Sequence, residues 1–274
     1  MNGNMSLKRR IEQELGHVRD ITCKHIQENI PVRFDYDCKL YREGTIRDII
    51  EIVNRLGKRN THILDLGCGF GGISAVLSSF GFKVQGIDIR ETSEYYDHFQ
   101  MKPEDFIHVW QDLQKNYPRL QLSFYNPHSL PFNNAMFDAV VYYASLEHMP
   151  KDKAQISLEE AYRVLKDDGL LFIYRCPNSI SLCENLSKKM GLPSHEILYS
   201  ETELMSLVSQ SGFRIRKLNK SDLLPAFFPV NMQRLIDCNG FWLLSFQKFI
   251  EQSSLAIFAH HFGVIADKGT GSVE

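Results

Sequence analysis

One short apolar segment that ends in a run of glycines, THILDLGCGFGG at residues 61–72, constrains the fold more than any other part of the sequence. An apolar segment of this length predicts a buried strand, and the glycines predict a tight turn into a helix at 72–81. A second apolar segment at 82–89 predicts another strand. Two strands joined through a helix form a β-α-β unit, so we expect parallel strands with a crossover helix.

The rest of the chain continues this alternation of strands and helices. Further strands are predicted from apolar segments at 120–126, 137–145, 170–178, 213–219 and 257–268. Helices are predicted at 156–169, at 200–213 and over part of 91–118. We therefore expect an α/β fold with a doubly wound, mainly parallel sheet, and we expect its last strand to be antiparallel.

The first part of the chain has helical patterns. Apolar residues recur at helical spacing over 5–30, where Pro31 predicts the end of the helix, and over 44–56, where Gly57 predicts it.

Two regions follow from these patterns: a helical segment or lid at 1–55 and the sheet-containing domain at 56–274. A stretch rich in Phe, Leu and Trp at about 220–256 predicts a helical insertion before the last strand. Two interpretations of the insertion remain open, namely helices that pack into their own core and a wall of an apolar ligand pocket.

Charge and cysteine usage narrow the function. The chain has 31 Lys and Arg against 33 Asp and Glu, a net charge of −2, so no positive surplus is available for nucleic acid. Its six cysteines show neither C-x-x-C pairs nor zinc-like spacing, so we expect reduced thiols and no metal site. Adjacent His260 and His261 are interpreted as the alternation of a strand near a sheet edge, because no third ligand is apparent.

No segment predicts secretion or insertion into a membrane. The first 17 residues lack the apolar core of a signal peptide. The most apolar late stretch, 241–259, is interrupted by Lys248 and Glu251, so it makes a poor membrane span. We expect a cytoplasmic protein without a transmembrane segment; its oligomeric state is left open.

The glycine turn fits two kinds of ligand. Gly67-x-Gly69-x-x-Gly72, with Asp88 at the end of the next strand, matches the fingerprint of dinucleotide-binding proteins. However, Asp65 would place a carboxylate where a pyrophosphate needs backbone donors. S-adenosylmethionine carries an ammonium and a sulfonium instead, and a carboxylate suits both groups.

The sequence resembles the class I, Rossmann-like, S-adenosylmethionine-dependent methyltransferases. Four blocks carry the resemblance in the order and spacing of that family: ILDLGCGFGG at 63–72, GIDI at 86–89, NPHSLPFNNAMFDAVVYYASLEHM at 126–149 and EEAYRVLKDDGLLFI at 159–173. Together they cover about residues 60–175. A dehydrogenase has no reason to carry the third block.

The resemblance implies the cofactor-binding residues Asp65, Gly67, Cys68, Gly69, Gly71, Asp88, Ile89, Asn126, Pro127 and Ala144. The glycines would surround the methionine part, with Asp65 on its amino group and Asp88 on the ribose hydroxyls. Ile89 would pack on the adenine. Asn126 stands where the family commonly has Asp, and its side-chain oxygen can accept the same hydrogen bond.

Acceptor-side residues are predicted at the same edge of the sheet. His148 is the candidate general base, because imidazole changes charge near neutral pH; a histidine that bonds backbone at a helix start is the alternative. The candidate substrate residues are Arg175, Asn178, His195 and Tyr199. Arg175 could hold an anionic group or pair with Asp or Glu, and the segment of His195 and Tyr199 could be a helix-entry loop.

The resemblance implies methyl transfer to oxygen, nitrogen or carbon of a small molecule, by positioning of donor and acceptor and, for a protonated acceptor, a general base. Tyr143-Ala144-Ser145-Leu146 stands where enzymes of the family that methylate base amines would have an NPPY-like tetrad. Two alternatives stay open at this point. One is a nucleotide-cofactor oxidoreductase, and the other is a non-catalytic member that binds the cofactor and regulates a partner.

Overall fold

The computed structural model describes residues 6–25, 39–57, 60–89, 103–125, 129–191, 194–223, 242 and 244–269. Its strands are β1 (His62–Leu66), β2 (Lys83–Ile89), β3 (Leu120–Tyr125), β4 (Phe137–Tyr143), β5 (Leu165–Pro177), β6 (Arg214–Ser221) and β7 (His261–Asp267). Its named helices are α1 (Leu7–Cys23), α2 (Lys39–Leu56), α3 (Gly72–Ser79), α4 (Pro103–Asn116), α5 (Lys151–Val164), α6 (Leu182–Lys189) and α7 (Glu201–Gln210). A further helix covers 244–251.

The seven strands form one sheet in the order β3-β2-β1-β4-β5-β7-β6. β1 to β5 pair in parallel, and β7 pairs antiparallel with both β5 and β6. The predicted doubly wound sheet with an antiparallel last strand is confirmed. The strand order reverses between β1 and β4, which is the point where open α/β sheets bind ligands outside the carboxyl ends of their strands.

Helices cover both faces of the sheet. On one face, α1 to α4 bury apolar residues against β1 and β2. On the other face, α5 and α7 do the same against β4 and β5. The central strands are buried on both sides, which explains why β4 reads as a nearly continuous apolar run. Within the described ranges, no helix combines the length and apolarity that a membrane crossing needs.

Several predicted boundaries are wrong. α1 ends at Cys23 instead of reaching residue 30, and α2 begins at Lys39 instead of 44. α5 ends at Val164, because Leu165 turns into extended backbone and pairs with Phe137 of β4. The predicted helix stop at Gly169 therefore lies inside β5.

The interpretation of His260 and His261 as residues near a sheet edge is also wrong. β7 begins at His261, not 257, and a 3-10 helix at Ser254–Phe258 precedes it. β7 lies between β5 and β6, so both imidazoles are buried, and their rings stack with centroids 4.0 Å apart. Of the predicted insertion at 220–256, residues 224–241 and 243 lie outside the described residues.

Candidate functional site

The turn between β1 and α3 contains three glycines in the left-handed region of backbone conformation. Gly67, Gly69 and Gly71 have φ of +73°, +51° and +81°, a region that L side chains rarely adopt. A Cβ on Gly67 would lie 2.6 Å from Cβ of Ser145, which follows β4. The turn therefore lies against the end of β4, at the point where the strand order reverses.

Asp88 fixes the far side of this turn. Its Oδ2 accepts the Gly69 N–H at 2.6 Å, and its Oδ1 accepts the Ile89 N–H at 2.7 Å. The Gly69 carbonyl in turn accepts the indole N–H of Trp110 at 2.9 Å. Burial raises the pKa of Asp88 to about 6, although the two backbone hydrogen bonds favour its ionised form.

Asp65 is a buried carboxyl with one oxygen unused. Its Oδ2 accepts the Ser74 hydroxyl at 2.5 Å, and its Oδ1 has no hydrogen-bond partner among the described residues. Burial raises the pKa of Asp65 to about 7. An unsatisfied buried carboxylate is costly, so a cationic ligand group beside Asp65 would be stabilised strongly. The residues therefore fit the ammonium group of S-adenosylmethionine and do not fit a pyrophosphate.

The remaining predicted cofactor residues take different places. Cys68 is buried, and burial raises the pKa of its thiol well above the ordinary value, so the sulfur stays neutral. Ile89 is half-buried at the end of β2. Ala144 has φ of +49° and donates its N–H to the Tyr174 carbonyl at 3.0 Å. Asn126 and Pro127 lie outside the described residues.

Arg175 and Asn178 are engaged with protein groups. Arg175 lies in β5 with φ of +64°, and its guanidinium donates to Asp222 Oδ2 at 3.0 Å and to the Tyr41 carbonyl at 2.8 Å. Burial opposes ionisation of Asp222, but the charge of Arg175 lowers the pKa of Asp222 below its ordinary value. The Asn178 amide donates to the carbonyls of Ile257 and Ala259, which holds the chain that enters β7.

His195 belongs to a cluster that the sequence did not reveal. We call Glu184, His195 and His260 the His–Glu cluster. Glu184 Oε1 lies 2.7 Å from His195 Nδ1 and 2.8 Å from His260 Nε2. Burial opposes ionisation of Glu184, but these two hydrogen bonds lower its pKa below the ordinary value. The residues come from α6, the loop before α7 and the position just before β7, so no spacing along the chain could have indicated the cluster.

His148 lies beside the His–Glu cluster. Its ring centroid is 6.4 Å from that of His195, and its Nε2 is 3.9 Å from Glu147 Oε1. Its side chain is 38% exposed. The hydroxyl of Tyr199 is buried and has no hydrogen-bond partner among the described residues. The fold therefore brings His148 and His195 together at the carboxyl edge of the sheet.

Comparison with known proteins points to methyltransferases. A family model described as a methyltransferase domain matches residues 64–173. A "probable S-adenosylmethionine-dependent methyltransferase" of Mycolicibacterium smegmatis is 28% identical over 56% of this chain and 52% of its own length. A sterol 4-C-methyltransferase of Caenorhabditis elegans is 28% identical over 42% of this chain and 31% of its own length. The chain thus spans about half or less of the curated relatives that it matches.

Solved structures show the same fold. An S-adenosylmethionine-dependent methyltransferase of Methanosarcina mazei superposes with a TM-score of 0.54 at 20% identity, over 79% of this chain and 96% of that one. Residues 64–173 thus match a methyltransferase domain, and the chain has the fold of the class I S-adenosylmethionine-dependent methyltransferases. The matches to methyltransferases confirm the predictions of an enzyme and of S-adenosylmethionine as its cofactor. The roles of the individual site residues stay predictions.

Proposed function

We propose that this protein transfers a methyl group from S-adenosylmethionine to a small-molecule acceptor. One observation carries the proposal: the buried Asp65 carboxyl, two residues before the glycine turn, has an oxygen without a hydrogen-bond partner among the described residues. A ligand ammonium satisfies this oxygen, and a pyrophosphate is repelled by it. When bound, S-adenosylmethionine supplies a methyl group on a positively charged sulfur.

The residues of this chain then act mainly by positioning. Asp65 holds the ligand ammonium and Asp88 accepts hydrogen bonds from the ribose hydroxyls. The glycines let the backbone approach, and Ile89, Asn126 and Pro127 border the adenine. Holding two reactants in a near-attack arrangement contributes on the order of 7–11 kcal/mol in favourable cases. No oxyanion has to be stabilised, because methyl transfer consumes positive charge.

A small molecule is the acceptor that the chain supports best. A net charge of −2 gives no general attraction to nucleic acid, and one relative is named as a methyltransferase of sterols. We propose that residues 1–55 cover the acceptor side, because Tyr41 of α2 reaches His260 there. His195 and Tyr199 remain the candidate substrate residues on this edge, whereas Arg175 and Asn178 are buried and bonded to protein groups.

His148 is proposed as the general base for an acceptor that arrives protonated. Its partly exposed imidazole leaves it accessible to such a group.

We also propose a cytoplasmic location, since the buried Cys68, Cys176 and Cys183 are thiols, which persist in a reducing compartment.

Titration calorimetry with S-adenosylmethionine, S-adenosylhomocysteine and NAD tests the cofactor. We expect micromolar binding of the first two and no binding of NAD, with binding weakened in Asp65→Asn. Binding of NAD alone would favour the oxidoreductase and overturn the proposal.

Transfer itself is tested with isotopically labelled S-adenosylmethionine and separate panels of phenols, amines, carboxylates and sterols. We expect label to appear in one panel. Cofactor binding without transfer in any panel would favour a regulatory member of the family. His148→Ala should lower the rate only for an acceptor that must lose a proton, and a rate retained at every pH assigns His148 to structure.

A further inference from the structure

Three side chains outside the proposed cofactor site converge on one point. They are the members of the His–Glu cluster, and their nearest nitrogen and carboxylate oxygen atoms all lie within 4.8 Å of one another. Both imidazoles approach the same oxygen, Glu184 Oε1, at 2.7 and 2.8 Å. Three ligands about 2.0–2.1 Å from a tetrahedral ion lie about 3.3 Å apart, so each of the two oxygen–nitrogen distances has to lengthen by about 0.5 Å to admit an ion.

The surroundings hold the three side chains in place. Glu184 Oε2 accepts the backbone N–H of His195 at 3.1 Å, which leaves Oε1 directed at the two imidazoles. The second ring nitrogen of His260, Nδ1, lies 2.5 Å from the Tyr41 hydroxyl. Metal-bound histidines are oriented by such a bond from the other ring nitrogen.

The cluster is also accessible from one side. The side chains of Glu184 and His260 are 4% and 10% exposed, whereas that of His195 is 32% exposed. Two imidazoles and one carboxylate suit Zn²⁺, and they equally suit Fe²⁺ with open coordination positions. No third ligand is apparent from the sequence, and the fold supplies it by bringing Glu184 and His195 to His260.

We propose that Glu184, His195 and His260 bind a single divalent transition-metal ion of the zinc type. The ion takes one oxygen and two nitrogen ligands from the protein and keeps at least one position for water or a donor atom of a small molecule. The ring of His148, the proposed general base, lies 6.4 Å from that of His195. The open position is therefore on the side of the fold where the acceptor is proposed to bind. Binding of the ion does not depend on the proposed methyl transfer.

Metal binding by the full chain tests the proposal. The chelator-treated protein is titrated with Zn²⁺ against a chromophoric chelator, without S-adenosylmethionine, and the absorption spectrum is recorded with Co²⁺. We expect one ion per chain and a Co²⁺ spectrum without thiolate bands. Glu184→Gln and His195→Ala should weaken binding about 100-fold or more, since each removes a ligand.

His148→Ala is the matched control, because it removes a neighbouring imidazole that is not a ligand. We expect its affinity for Zn²⁺ to equal that of the wild type. His195→Ala carries the test if Glu184→Gln unfolds, because its partly exposed side chain can be removed with little loss of packing. No Zn²⁺ binding by the wild type, thiolate bands with Co²⁺, or equal binding by folded His195→Ala would overturn the site.

Discussion

At the scale of single residues, two carboxyls near the glycine turn have raised pKa values but differ in their hydrogen bonds. Asp88 has both oxygens engaged by backbone N–H groups, so it shapes the turn as well as facing a ligand. One oxygen of Asp65 has no hydrogen-bond partner among the described residues, and burial makes ionisation of this carboxyl unfavourable. A bound cation would remove this unfavourable interaction. Part of the binding free energy at this edge therefore comes from relief of a destabilising feature of the free protein.

The first prediction concerns the pH dependence of stability. The pKa of Asp65 is about 7 in the folded chain against 3.8 for an ordinary Asp, so the folded state keeps a proton that the unfolded state loses between pH 4 and 7. The contribution of Asp65 to the free energy of unfolding therefore falls as pH rises through this window, by about 4 kcal/mol at most. Asp65→Asn does not titrate, so the free energy of unfolding of this variant minus that of the wild type should increase by up to the same amount between pH 4 and 7.

Denaturant unfolding at several pH values measures this difference. Asp138→Asn is the control: burial opposes ionisation of Asp138, but the His62 N–H and Lys166 lower its pKa below the ordinary value. Asp138 is therefore ionised in both the folded and the unfolded chain above about pH 4, so the difference between Asp138→Asn and the wild type should stay nearly constant from pH 4 to pH 8. A gap between Asp65→Asn and wild type that stays constant from pH 4 to pH 8 would contradict the assignment.

The second prediction concerns Asp88. Asp88→Ala removes the acceptor proposed for the ribose and leaves the Gly69 N–H without its partner, so affinity for S-adenosylhomocysteine should fall by about 3 kcal/mol, roughly 100-fold. Calorimetry measures the loss, and circular dichroism checks the fold. Asp88→Asn keeps one acceptor oxygen and should lose less. Unchanged affinity in a folded Asp88→Ala would refute the ribose role.

At the scale of elements, the turn after β1 and the boundary between α5 and β5 show what a sequence can and cannot reveal. The apolar run and glycines at 61–72 predicted β1, the turn and α3, because local conformation is imposed there by residue type. The end of α5 was misplaced, because Leu165–Gly169 joins β5 through pairing with β4, a partner distant in the chain. The helical apolar pattern that begins at 156 gives no sign of stopping before Gly169, and pairing with the sheet decides the structure of these residues.

The third prediction compares two glycines in different elements. Gly67 has φ of +73° and no room for a Cβ beside Ser145, so Gly67→Ala should destabilise the fold by more than about 1–2 kcal/mol and weaken cofactor binding. Gly16 lies in α1 with nothing within 4 Å of an added Cβ. Gly16→Ala should therefore stabilise the protein by about 0.5–1 kcal/mol.

Thermal and denaturant unfolding of both variants give the test. Equal effects of the two substitutions would mean that the turn does not need its backbone conformation. Combining Gly67→Ala with Ser145→Gly removes the steric overlap but not the strain in φ, so it should restore part of the loss.

At the scale of the whole molecule, buried charges connect parts of the fold that are far apart in sequence. Arg175 of β5 joins Asp222, which follows β6, to the backbone of α2 at Tyr41. Such a contact is invisible from one sequence, because burial of an arginine depends on the packing of three elements. For the same reason the sequence placed His195 near the acceptor edge but missed its partners Glu184 and His260.

The fourth prediction follows from that buried ion pair. Arg175→Met removes the cation and leaves Asp222 buried without its main partner, so the free energy of unfolding should fall by about 3–5 kcal/mol. Arg55 of α2 pairs with Glu51 in a half-exposed position, so Arg55→Met should cost no more than about 0.5 kcal/mol. Denaturant unfolding compares the two. Similar small losses would mean that Arg175 does not hold α2 to the sheet.

The position of β7 between β5 and β6 has a consequence for folding during synthesis on the ribosome. Within the described ranges, β6 pairs with no strand except β7, and β5 has β7 on its outer side. Residues 261–267 are translated after both of these strands, so β5 and β6 emerge with open edges that nothing made earlier closes. The nascent chain must keep those edges from sticking to other chains until β7 leaves the exit tunnel, and a stalled or prematurely terminated copy would expose them.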